Sequence, residues 1–441
     1  MSTHDLDQPL RVALLGCGTV GSQVARLVLD QHDDLTARIG APLELVGIAV
    51  RDASQPRDQL SAELFTEDAA GLVARGDLDV VIELIGGIEP ARSLIASALD
   101  NGASVVSANK ALLAAHGQEL ADKADSAGVD LYYEAAVAGA IPILRTLRES
   151  LVGDEITQVM GIVNGTTNYI LDQMTTTGAD YFEALAEAQE LGYAEADPTA
   201  DVEGHDAAAK AAILASLAFH THVSGDQVYV EGISQLTSED IESARALGCV
   251  IKLLAVAQTT DDDQVEVRVH PVLLPESHPL AAISGAYNAV FVESREAEKL
   301  MFMGPGAGGP PTASAVMGDL VTVARNRRRG VAGSAPSGYT GRSVAPMGQT
   351  RCLYYLRFEV FDQPGVLASA ASVFAQRGRS LQTVRQIVAP TTEPGQTTPV
   401  AMLGIMTHET SEQMIQECVG ELEAADFVQG PVRLLRVEGM A

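Results

Sequence analysis

The chain has 441 residues, of which 46% are hydrophobic, so it is long enough for about two to four domains. Its formal net charge of −29 argues against nucleic-acid binding and against contact with an anionic membrane surface. The four cysteines are scattered without a C-x-x-C pair, no secretion signal begins the chain, and no apolar run reaches the length of a membrane span. We therefore expect a soluble cytoplasmic protein without disulfides.

The first predicted element is a buried strand, Leu10–Leu15, which runs into a G-x-G-x-x-G loop and then a helix. In this context the glycines allow a tight turn and let the backbone approach a pyrophosphate at the helix N-terminus. The alternative is that the glycines serve only the turn. We predict a dinucleotide site made by Gly16, Gly18, Thr19, Val20 and Gly21.

The end of the second predicted strand, Leu43–Val50, bears on the type of cofactor. Arg51 and Arg57 follow this strand, and arginine there can pair with the 2′-phosphate of NADP. Asp52 keeps NAD possible because an acid there can bind the ribose hydroxyls. We predict NADP, with a solvated Arg51 as the alternative.

Further α/β units follow, with strands predicted at Val80–Ile85 and Ala103–Ser107 and a helix at Ala91–Asn101. Asn109 and Lys110 come directly after the last of these strands. Open α/β sheets bind ligands at the carboxyl ends of their strands, so we place both residues beside the cofactor crevice.

Farther along the chain, Glu134 begins a Gly-containing turn that is closed by Pro142. A carboxylate followed by such a turn can present several carbonyl oxygens to a hard cation. An ordinary strand-to-helix turn is the alternative.

The segment from Gly192 to Lys210 is rich in acids and ends in a single lysine. Asp206 and Lys210 are four residues apart, so on a helix that starts near His205 they share one face. A carboxylate facing an ammonium can bind an amino group and deliver a proton to a carbonyl oxygen. A solvated acidic turn with one ion pair is the alternative.

The rest of the middle region alternates predicted helices and strands, and a helix that begins near Pro311 is expected to return to the nucleotide domain. The other helices are predicted at Asp180–Leu191, Asp206–Phe219 and Ser238–Leu247, and the strands at Val250–Gln258, Val265–Leu274 and Ala289–Glu293. Residues 326–350 have the composition of a linker, and the arginines at 325 and 327–329 are interpreted as a solvated hinge.

Beyond the linker the predicted elements follow the order βαββαβ. They are strands at Tyr354–Val360, Leu381–Val388, Val400–Thr407 and Pro431–Val437, with helices from Val366 to Arg377 and at Glu412–Glu423. The first turn carries D-x-P-G-V, from Asp362 to Val366.

Taken together, these motifs resemble the monofunctional homoserine dehydrogenases that carry a C-terminal ACT domain. The resemblance runs nearly end to end. It covers the glycine loop at 16–21, Ala108-Asn109-Lys110, EAAVAGAIPIL from Glu134, GIVNGTTNYIL from Gly161, GYAEADPTADVEGHDAAAK from Gly192 and GPGAGGPPTASAVMGDL from Gly304.

The resemblance implies reversible reduction of L-aspartate 4-semialdehyde to L-homoserine with NAD(P)H, the branch step toward threonine, methionine and isoleucine. It implies catalytic roles for Lys210 and Lys110, with Glu195 on the substrate's amino group and Asp206 beside the reacting centre. These roles agree with elementary chemistry, because an ammonium stabilises the charge that develops on an aldehyde oxygen and can then protonate it. Asn164 and Thr166 are candidates for substrate binding, with loop capping as the alternative. Asn109 and Lys110 are also candidates for cofactor binding.

The resemblance also implies a monovalent cation, most simply sodium, held by Glu134 and by main-chain oxygens of Val137, Gly139 and Ile141. It implies a homodimer or homotetramer and an amino-acid effector, threonine, at the ACT domain, for which a purely structural dimerisation module is the alternative.

The expected architecture is a Rossmann-type nucleotide domain (1–133 and 305–325), a substrate and dimerisation domain with a mixed sheet (134–304), the linker and an α+β ACT domain (351–441). Two other functions stay open at this point. One is a different NADP-dependent oxidoreductase of amino or oxo acids, and the other is a non-catalytic ACT sensor of amino acids.

Overall fold

The fold is described from a computed structural model that covers residues 8–55, 60–333, 340–388 and 399–440. Arg57, which is predicted to bind the cofactor, lies outside these residues. Among them, no helix is both long enough and apolar enough to span a membrane.

The N-terminal domain is built on a parallel sheet of six strands in the order β3-β2-β1-β4-β5-β6. The strands are β1 (Leu10–Leu15), β2 (Leu43–Ala49), β3 (Phe65–Thr66), β4 (Val80–Glu83), β5 (Ser104–Ser107) and β6 (Leu131–Tyr132). The helices are α1 (Thr19–Asp30), α2 (His32–Ile39), α3 (Ala69–Val73), α4 (Ala91–Asp100) and α5 (Lys110–Ala127). β1, β4 and β5 are almost wholly buried, as expected for parallel strands with helices on both faces.

The central domain combines helices with a second, mixed sheet. Its helices are α6 (Ile143–Arg145), which continues into a π-helical turn at Thr146–Ser150, α7 (Gly165–Thr177), α8 (Tyr181–Glu190), α9 (Thr199–Val202), α10 (His205–Ala218) and α11 (Ser238–Ala246). Its strands are β7 (Ile156–Ile162), β8 (Tyr229–Val230), β9 (Cys249–Thr259), β10 (Val265–Pro275), β11 (Tyr287–Ser294) and β12 (Glu298–Pro305). They lie in the order β12-β11-β7-β9-β10 with antiparallel neighbours, while β8 pairs with β10 in parallel.

Helix α12 (Gly309–Arg329) returns the chain to the N-terminal domain. Its residues Val316 and Leu320 are fully buried in the same core as Leu14 and Val24 of the first βα unit. The helix begins with Pro310 in its first turn, a position where the missing N–H costs nothing.

The predicted linker begins too early, because α12 continues through the arginine run. Arg325 donates to the Arg38 carbonyl oxygen (2.9 Å) and Arg328 to that of Ile39 (3.2 Å). These arginines therefore pack on the nucleotide domain, where they also suit the negative end of the helix dipole. The run is therefore helical and not a hinge, although Arg325 and Arg329 are exposed to solvent, as the interpretation expected.

The C-terminal domain has the predicted order βαββαβ, with one short extra strand. Its elements are β13 (Arg351–Phe361), α13 (Val366–Ala375), β14 (Leu381–Val388), β15 (Val400–Thr407), β16 (Thr410–Ser411), α14 (Glu412–Glu423) and β17 (Val428–Val437). The antiparallel order β17-β13-β15-β14 leaves both helices on one buried face.

The sheets of the central and C-terminal domains join edge to edge through a short parallel pairing of β10 with β17. Buried ion pairs cross the same boundary: Arg357 contacts Asp240 (2.7 Å), and Arg268 contacts Glu438 (2.6 Å). Because such buried charges are costly to separate, the two domains are held in one arrangement.

Candidate active site

The glycine loop has the shape that a dinucleotide site needs. Gly16 has φ +98°, and a Cβ there would lie 2.8 Å from the Leu84 carbonyl oxygen. A Cβ on Gly21 would overlap the Gly16 carbonyl oxygen, whereas one on Gly18 would meet no protein atom within 4 Å. Gly16 and Gly21 therefore serve the turn, and Gly18 leaves open space above the backbone.

That open space belongs to a cavity of about 860 Å³ at the carboxyl ends of β1, β2 and β4. Gly16, Gly18, Arg51 and Asp52 line it. Thr19 and Val20 form the first turn of α1 beside the cavity. Asp52 is engaged locally, since its Oδ1 accepts hydrogen bonds from the N–H and the hydroxyl of Ser54.

A buried carboxylate connects this cavity to Lys110. Glu83, at the end of β4, accepts hydrogen bonds from the N–H groups of Ile85 and Gly86 and from the Ser107 hydroxyl (2.6 Å). Ser107 in turn accepts from the N–H of Asn109 (3.1 Å). Glu83 therefore fixes both the cavity wall and the start of α5.

Asn109 is the N-cap of α5, and Lys110 is the first residue of that helix. The Asn109 side chain accepts from the N–H of Leu112 and donates to the Gly87 carbonyl oxygen (2.7 Å), which lies in the cavity wall. An Asn N-cap satisfies a helix N–H that would otherwise lack a partner. The cap thus places Lys110 next to the nucleotide cavity.

Asp206 brings both predicted catalytic lysines together. Its Oδ2 contacts the Lys210 Nζ at 2.6 Å, and its Oδ1 forms an ion pair with Lys110. Asp206 and Lys210 share one face of α10, as their spacing predicts. The two lysines come from helices of different domains, so the cluster lies where the nucleotide and central domains meet.

The start of α7 completes the cluster. Asn164 caps this helix and donates to Asp206 Oδ2 (2.9 Å) and to Asp201 Oδ1 (2.7 Å). Lys210 also donates to the Val163 carbonyl oxygen (2.7 Å). The NGTTN run, residues 164–168, therefore holds the Asp206 carboxylate through Asn164, its first residue.

Burial and charge act in opposite directions on these groups. Burial alone would raise the pKa of Asp206, but the ammonium groups of Lys210 and Lys110 outweigh it and lower that pKa below its usual range. Burial lowers the pKa of Lys210, and the nearby Lys110 adds to the effect while Asp206 opposes it. The result is an ionised acid beside a lysine that gives up its proton more readily than a solvated one.

Two predicted substrate residues lie outside this cluster. Glu195 is exposed, and no hydrogen bond or ion pair joins its carboxylate to another of the described residues. The Thr166 hydroxyl donates to the Tyr193 carbonyl oxygen (2.6 Å), which ties α7 to the acidic loop.

The turn that is predicted to bind a cation has mixed features. Both carboxylate oxygens of Glu134 accept N–H bonds of 2.8 Å from Leu144 and Arg145, and burial with the nearby Asp319 raises the pKa of Glu134 to about 7. The described part of the chain has no group of three or more His, Cys, Asp or Glu side chains suited to a metal.

The backbone of this turn has an unusual conformation. Ala138 and Gly139 are both left-handed, and a Cβ on Gly139 would lie 2.5 Å from the Gly306 carbonyl oxygen. Val137, Gly139 and Ile141 are buried around this close approach. The turn therefore brings its backbone into close approach with the main chain at residues 305 and 306.

Several groups of the site could not be predicted from the sequence. Glu83 and Ser107 lie inside apolar strands, and Asp201 is indistinguishable from the other acids of its loop. Helix α7 begins at an Asn-Gly pair, which is more typical of a turn. Of these groups, only the start of α7 could have been found from the sequence, because an Asn before a polar and then apolar run can be a helix N-cap.

Comparison with known proteins decides the family. Residues 142–321 match the family described as homoserine dehydrogenase, and residues 16–134 match the NAD-binding domain of homoserine dehydrogenase. The homoserine dehydrogenase of Corynebacterium glutamicum is 53% identical over 97% of this chain and 95% of its own. The chain belongs to the homoserine dehydrogenase family. The prediction of an oxidoreductase of this family is confirmed, and the two alternative functions lose their support.

Other relatives agree along the whole chain. The homoserine dehydrogenase of Mycobacterium tuberculosis strain H37Rv is 54% identical over 98% of both chains. The solved structure of a homoserine dehydrogenase from Thiobacillus denitrificans has a TM-score of 0.91 at 40% identity, and the match covers 98% of this chain and 99% of that one. A hyperthermophilic archaeal homoserine dehydrogenase in complex with NADPH has a TM-score of 0.61 at 26% identity, over 72% of this chain and 98% of that one. These matches confirm a parallel nucleotide-binding sheet and a second domain with a mixed sheet.

Proposed function

We propose that the protein catalyses the reversible, NADP(H)-dependent reduction of L-aspartate 4-semialdehyde to L-homoserine. The observation that carries the proposal is the Asp206 carboxylate, which holds Lys110 and Lys210 beside the loop that lines the nucleotide cavity. An aldehyde that accepts a hydride develops negative charge on its oxygen, and two ammonium groups are suited to stabilise it.

In this proposal Lys210 is the proton donor for aldehyde reduction and the acceptor for alcohol oxidation. The bound cofactor supplies or accepts the hydride. Burial makes the Lys210 ammonium a better acid, and Asp206 keeps it oriented through a 2.6 Å contact. Lys110 is half-exposed, so it can exchange protons with solvent and assist the transfer.

Substrate recognition is assigned to the acidic loop. Glu195 is exposed and its carboxylate is available for the α-ammonium group of the substrate. Asn164 orients Asp206, and Thr166 holds the loop through Tyr193. We therefore propose direct contact for Glu195 and positioning roles for Asn164 and Thr166.

NADP is the proposed cofactor because Arg51 lines the cavity, where it can pair with a 2′-phosphate, while Asp52 accepts hydrogen bonds from Ser54.

Gly18 allows a test of the cofactor site that largely spares the fold. Gly18→Ala adds a Cβ that meets no protein atom within 4 Å, so the unfolding temperature should fall only slightly, through the loss of a glycine N-cap, while the KM for NADPH rises about tenfold or more. Gly21→Ala is the contrasting variant, because its Cβ overlaps the loop and should destabilise the protein itself. An unchanged KM in Gly18→Ala would remove the loop from the cofactor site.

A monovalent cation, most simply sodium, is proposed at the turn of Val137, Gly139 and Ile141. Main-chain oxygens would hold it, while Glu134 shapes the turn through its bonds to Leu144 and Arg145. The cation would stabilise the junction between the N-terminal and central domains.

The C-terminal domain is proposed to be an ACT domain that binds threonine and mediates feedback inhibition. Its βαββαβ order and the turn at residues 362–366 support this assignment.

The C-terminal domain also has exposed apolar side chains that suit pairing with another copy of the chain, namely Leu367, Val384 and Ile387. Met301 and Met303 are exposed on the edge strand β12 and suit a second contact. A homodimer or homotetramer is therefore proposed. The location proposed for it, from its family, is the cytoplasm.

One steady-state experiment tests the function. Oxidation of L-homoserine is measured with NADP⁺ and with NAD⁺, with and without threonine, and L-serine and L-threonine are assayed as alternative substrates. We expect turnover of homoserine alone, a lower KM for NADP⁺ and inhibition by threonine. Equal turnover of the other hydroxy amino acids would contradict the proposed substrate, and insensitivity to threonine would contradict only the regulation.

A further inference from the structure

The C-terminal domain contains a small cavity that is separate from the site described above. It has a volume of about 200 Å³ and lies between the end of α13, the end of β15 and the start of α14. Since a water molecule occupies about 30 Å³ of the liquid, the space suits a ligand of roughly six to eight non-hydrogen atoms. Apolar side chains form much of its wall, namely Phe374, Met414, Ile415 and Cys418.

Two polar groups of the cavity wall lack partners. Thr410 is only 2% exposed, and its hydroxyl makes no hydrogen bond with any described residue. The Nε of Arg379 is also buried, and within the described ranges its guanidinium forms neither a hydrogen bond nor an ion pair. Buried polar groups are almost always satisfied, so the buried Thr410 hydroxyl and the unpaired Arg379 guanidinium leave room on one cavity wall for a ligand that accepts hydrogen bonds.

The charges around the cavity favour an anion. The Glu409 carboxylate is paired with Arg351 (2.8 Å), and Arg377 is paired with Glu421 (2.6 Å). No described acid therefore forms an ion pair with Arg379, so its positive charge is not compensated. His408 also lines this cavity. A guanidinium binds a carboxylate through two parallel hydrogen bonds.

We propose that this cavity binds a small monocarboxylate with a short hydrocarbon chain. The carboxylate accepts hydrogen bonds from Arg379 and from the Thr410 hydroxyl, and the chain packs on Phe374 and Ile415. The cavity lies near Thr407, at one end of β15. The turn at residues 362–366 lies near the other end of β15, where Phe361 pairs with Val400. The proposed carboxylate site is therefore distinct from the turn that carries D-x-P-G-V.

The test is calorimetric titration of the full-length protein with butyrate, with inorganic phosphate and with chloride at constant ionic strength. We expect saturable binding of butyrate that weakens at least about tenfold in Arg379→Gln, because a hydrogen bond to a charged group is lost. Arg385→Gln is the matched control, since Arg385 is exposed on β14 and its replacement changes the charge equally. The nucleotide cavity can also attract anions, so the difference between these two variants is the quantity compared.

Thr410→Val provides a second readout that does not depend on Arg379. Replacing an unsatisfied buried hydroxyl by a methyl group should leave the unfolding temperature unchanged or raise it, while butyrate binding weakens about tenfold. Absence of saturable butyrate binding, equal binding by the two arginine variants, or phosphate binding without butyrate binding would overturn the proposal. A lower unfolding temperature of Thr410→Val with unchanged butyrate affinity would overturn it as well.

Discussion

The central domain buries two lysines in similar surroundings, and they differ in one respect. Lys210 is 8% exposed and donates to the Val163 carbonyl oxygen and to the Asp206 carboxylate. Lys252 is 4% exposed and donates to the Ile283 carbonyl oxygen (2.5 Å) and to the Asn168 side-chain oxygen (3.0 Å). Each ammonium thus donates hydrogen bonds to one main-chain oxygen and one side-chain oxygen. Only at Lys210 does the side-chain oxygen belong to a charged group, the Asp206 carboxylate.

In the proposed mechanism, this difference separates a reactive lysine from a structural one. Burial lowers the pKa of Lys252 to about 8, and the charge of Asp172 opposes this effect only in part. At Lys210 the Asp206 carboxylate opposes the same effect, and it also holds Lys110 nearby, which we propose as a second proton carrier. The NGTTN run serves both sites, since Asn164 contacts Asp206 and Asn168 contacts Lys252.

The largest effect is expected for Lys210→Met. Loss of the proton donor should reduce kcat for homoserine oxidation by about 10³-fold, within the range for general acid–base catalysis. Steady-state kinetics with NADP⁺ measures this loss. Asp206 keeps its ion pair with Lys110, so the variant should still fold.

Lys252→Met is the matched control, because it removes the same ammonium from an equally buried position. It should retain most of the activity. General acid–base catalysis contributes at least about 10²-fold to kcat. The proposed role of Lys210 is therefore contradicted if Lys210→Met keeps more than about a tenth of kcat. It is also contradicted if both variants lose activity equally.

Lys252 should instead make the free energy of unfolding depend on pH. Its pKa is about 8 in the folded protein, against 10.5 for a solvated lysine, so between these values the unfolded chain binds more protons. Stability therefore rises with pH across this window, and the penalty for burying the ammonium is complete below pH 8. The change attributable to Lys252 is on the order of 3 kcal/mol, since the pKa differs by about 2.5 units and one unit corresponds to about 1.36 kcal/mol.

Chemical denaturation at several pH values between 8 and 10.5 measures this contribution. The free energy of unfolding of the wild type, minus that of Lys252→Met, should increase with pH. The variant also removes one hydrogen-bond donor from the Ile283 carbonyl oxygen and from the Asn168 side-chain oxygen, but that offset does not depend on pH. A constant difference would show that Lys252 stays charged throughout.

The sequence predicts one of the two lysines because only one has a local partner. Asp206 precedes Lys210 by one helical turn, so periodicity alone places the acid and the base together. Lys252 lies within an apolar strand, and Asn168 is 84 residues away, so no local pattern connects them. For the same reason the sequence does not predict Glu83 and Ser107, although they are as close to the site as Asn109.

The fold follows the same rule. The glycine loop, α10 and the βαββαβ order depend on local patterns, and the sequence predicts them. The contact of Lys110 with Asp206 spans two domains, and the packing of the arginine run on Arg38 and Ile39 depends on how α12 returns. Such long-range contacts are set by tertiary packing and leave no periodic signal in the sequence.

Asp206→Asn tests the comparison directly, because it gives Lys210 the neutral amide partner that Lys252 has. Without the carboxylate, burial and repulsion from Lys110 lower the pKa of Lys210 further. An opposite charge within hydrogen-bond distance changes a pKa by about 1–3 units, so the acid limb of the pH profile for homoserine oxidation should move to lower pH by at least about one unit. We also expect kcat to fall about 30-fold, because the lysines lose the group that orients them.

Asp201→Asn is the control for this variant. Asp201 also accepts a hydrogen bond from Asn164, but its charge acts on Lys210 more weakly than that of Asp206 does. Its replacement should move the same limb in the same direction by a smaller amount. Equal shifts would mean that general negative potential, and not the direct contact with Asp206, sets the acidity of Lys210. No shift in either variant would mean that the titrating group of the pH profile is not Lys210.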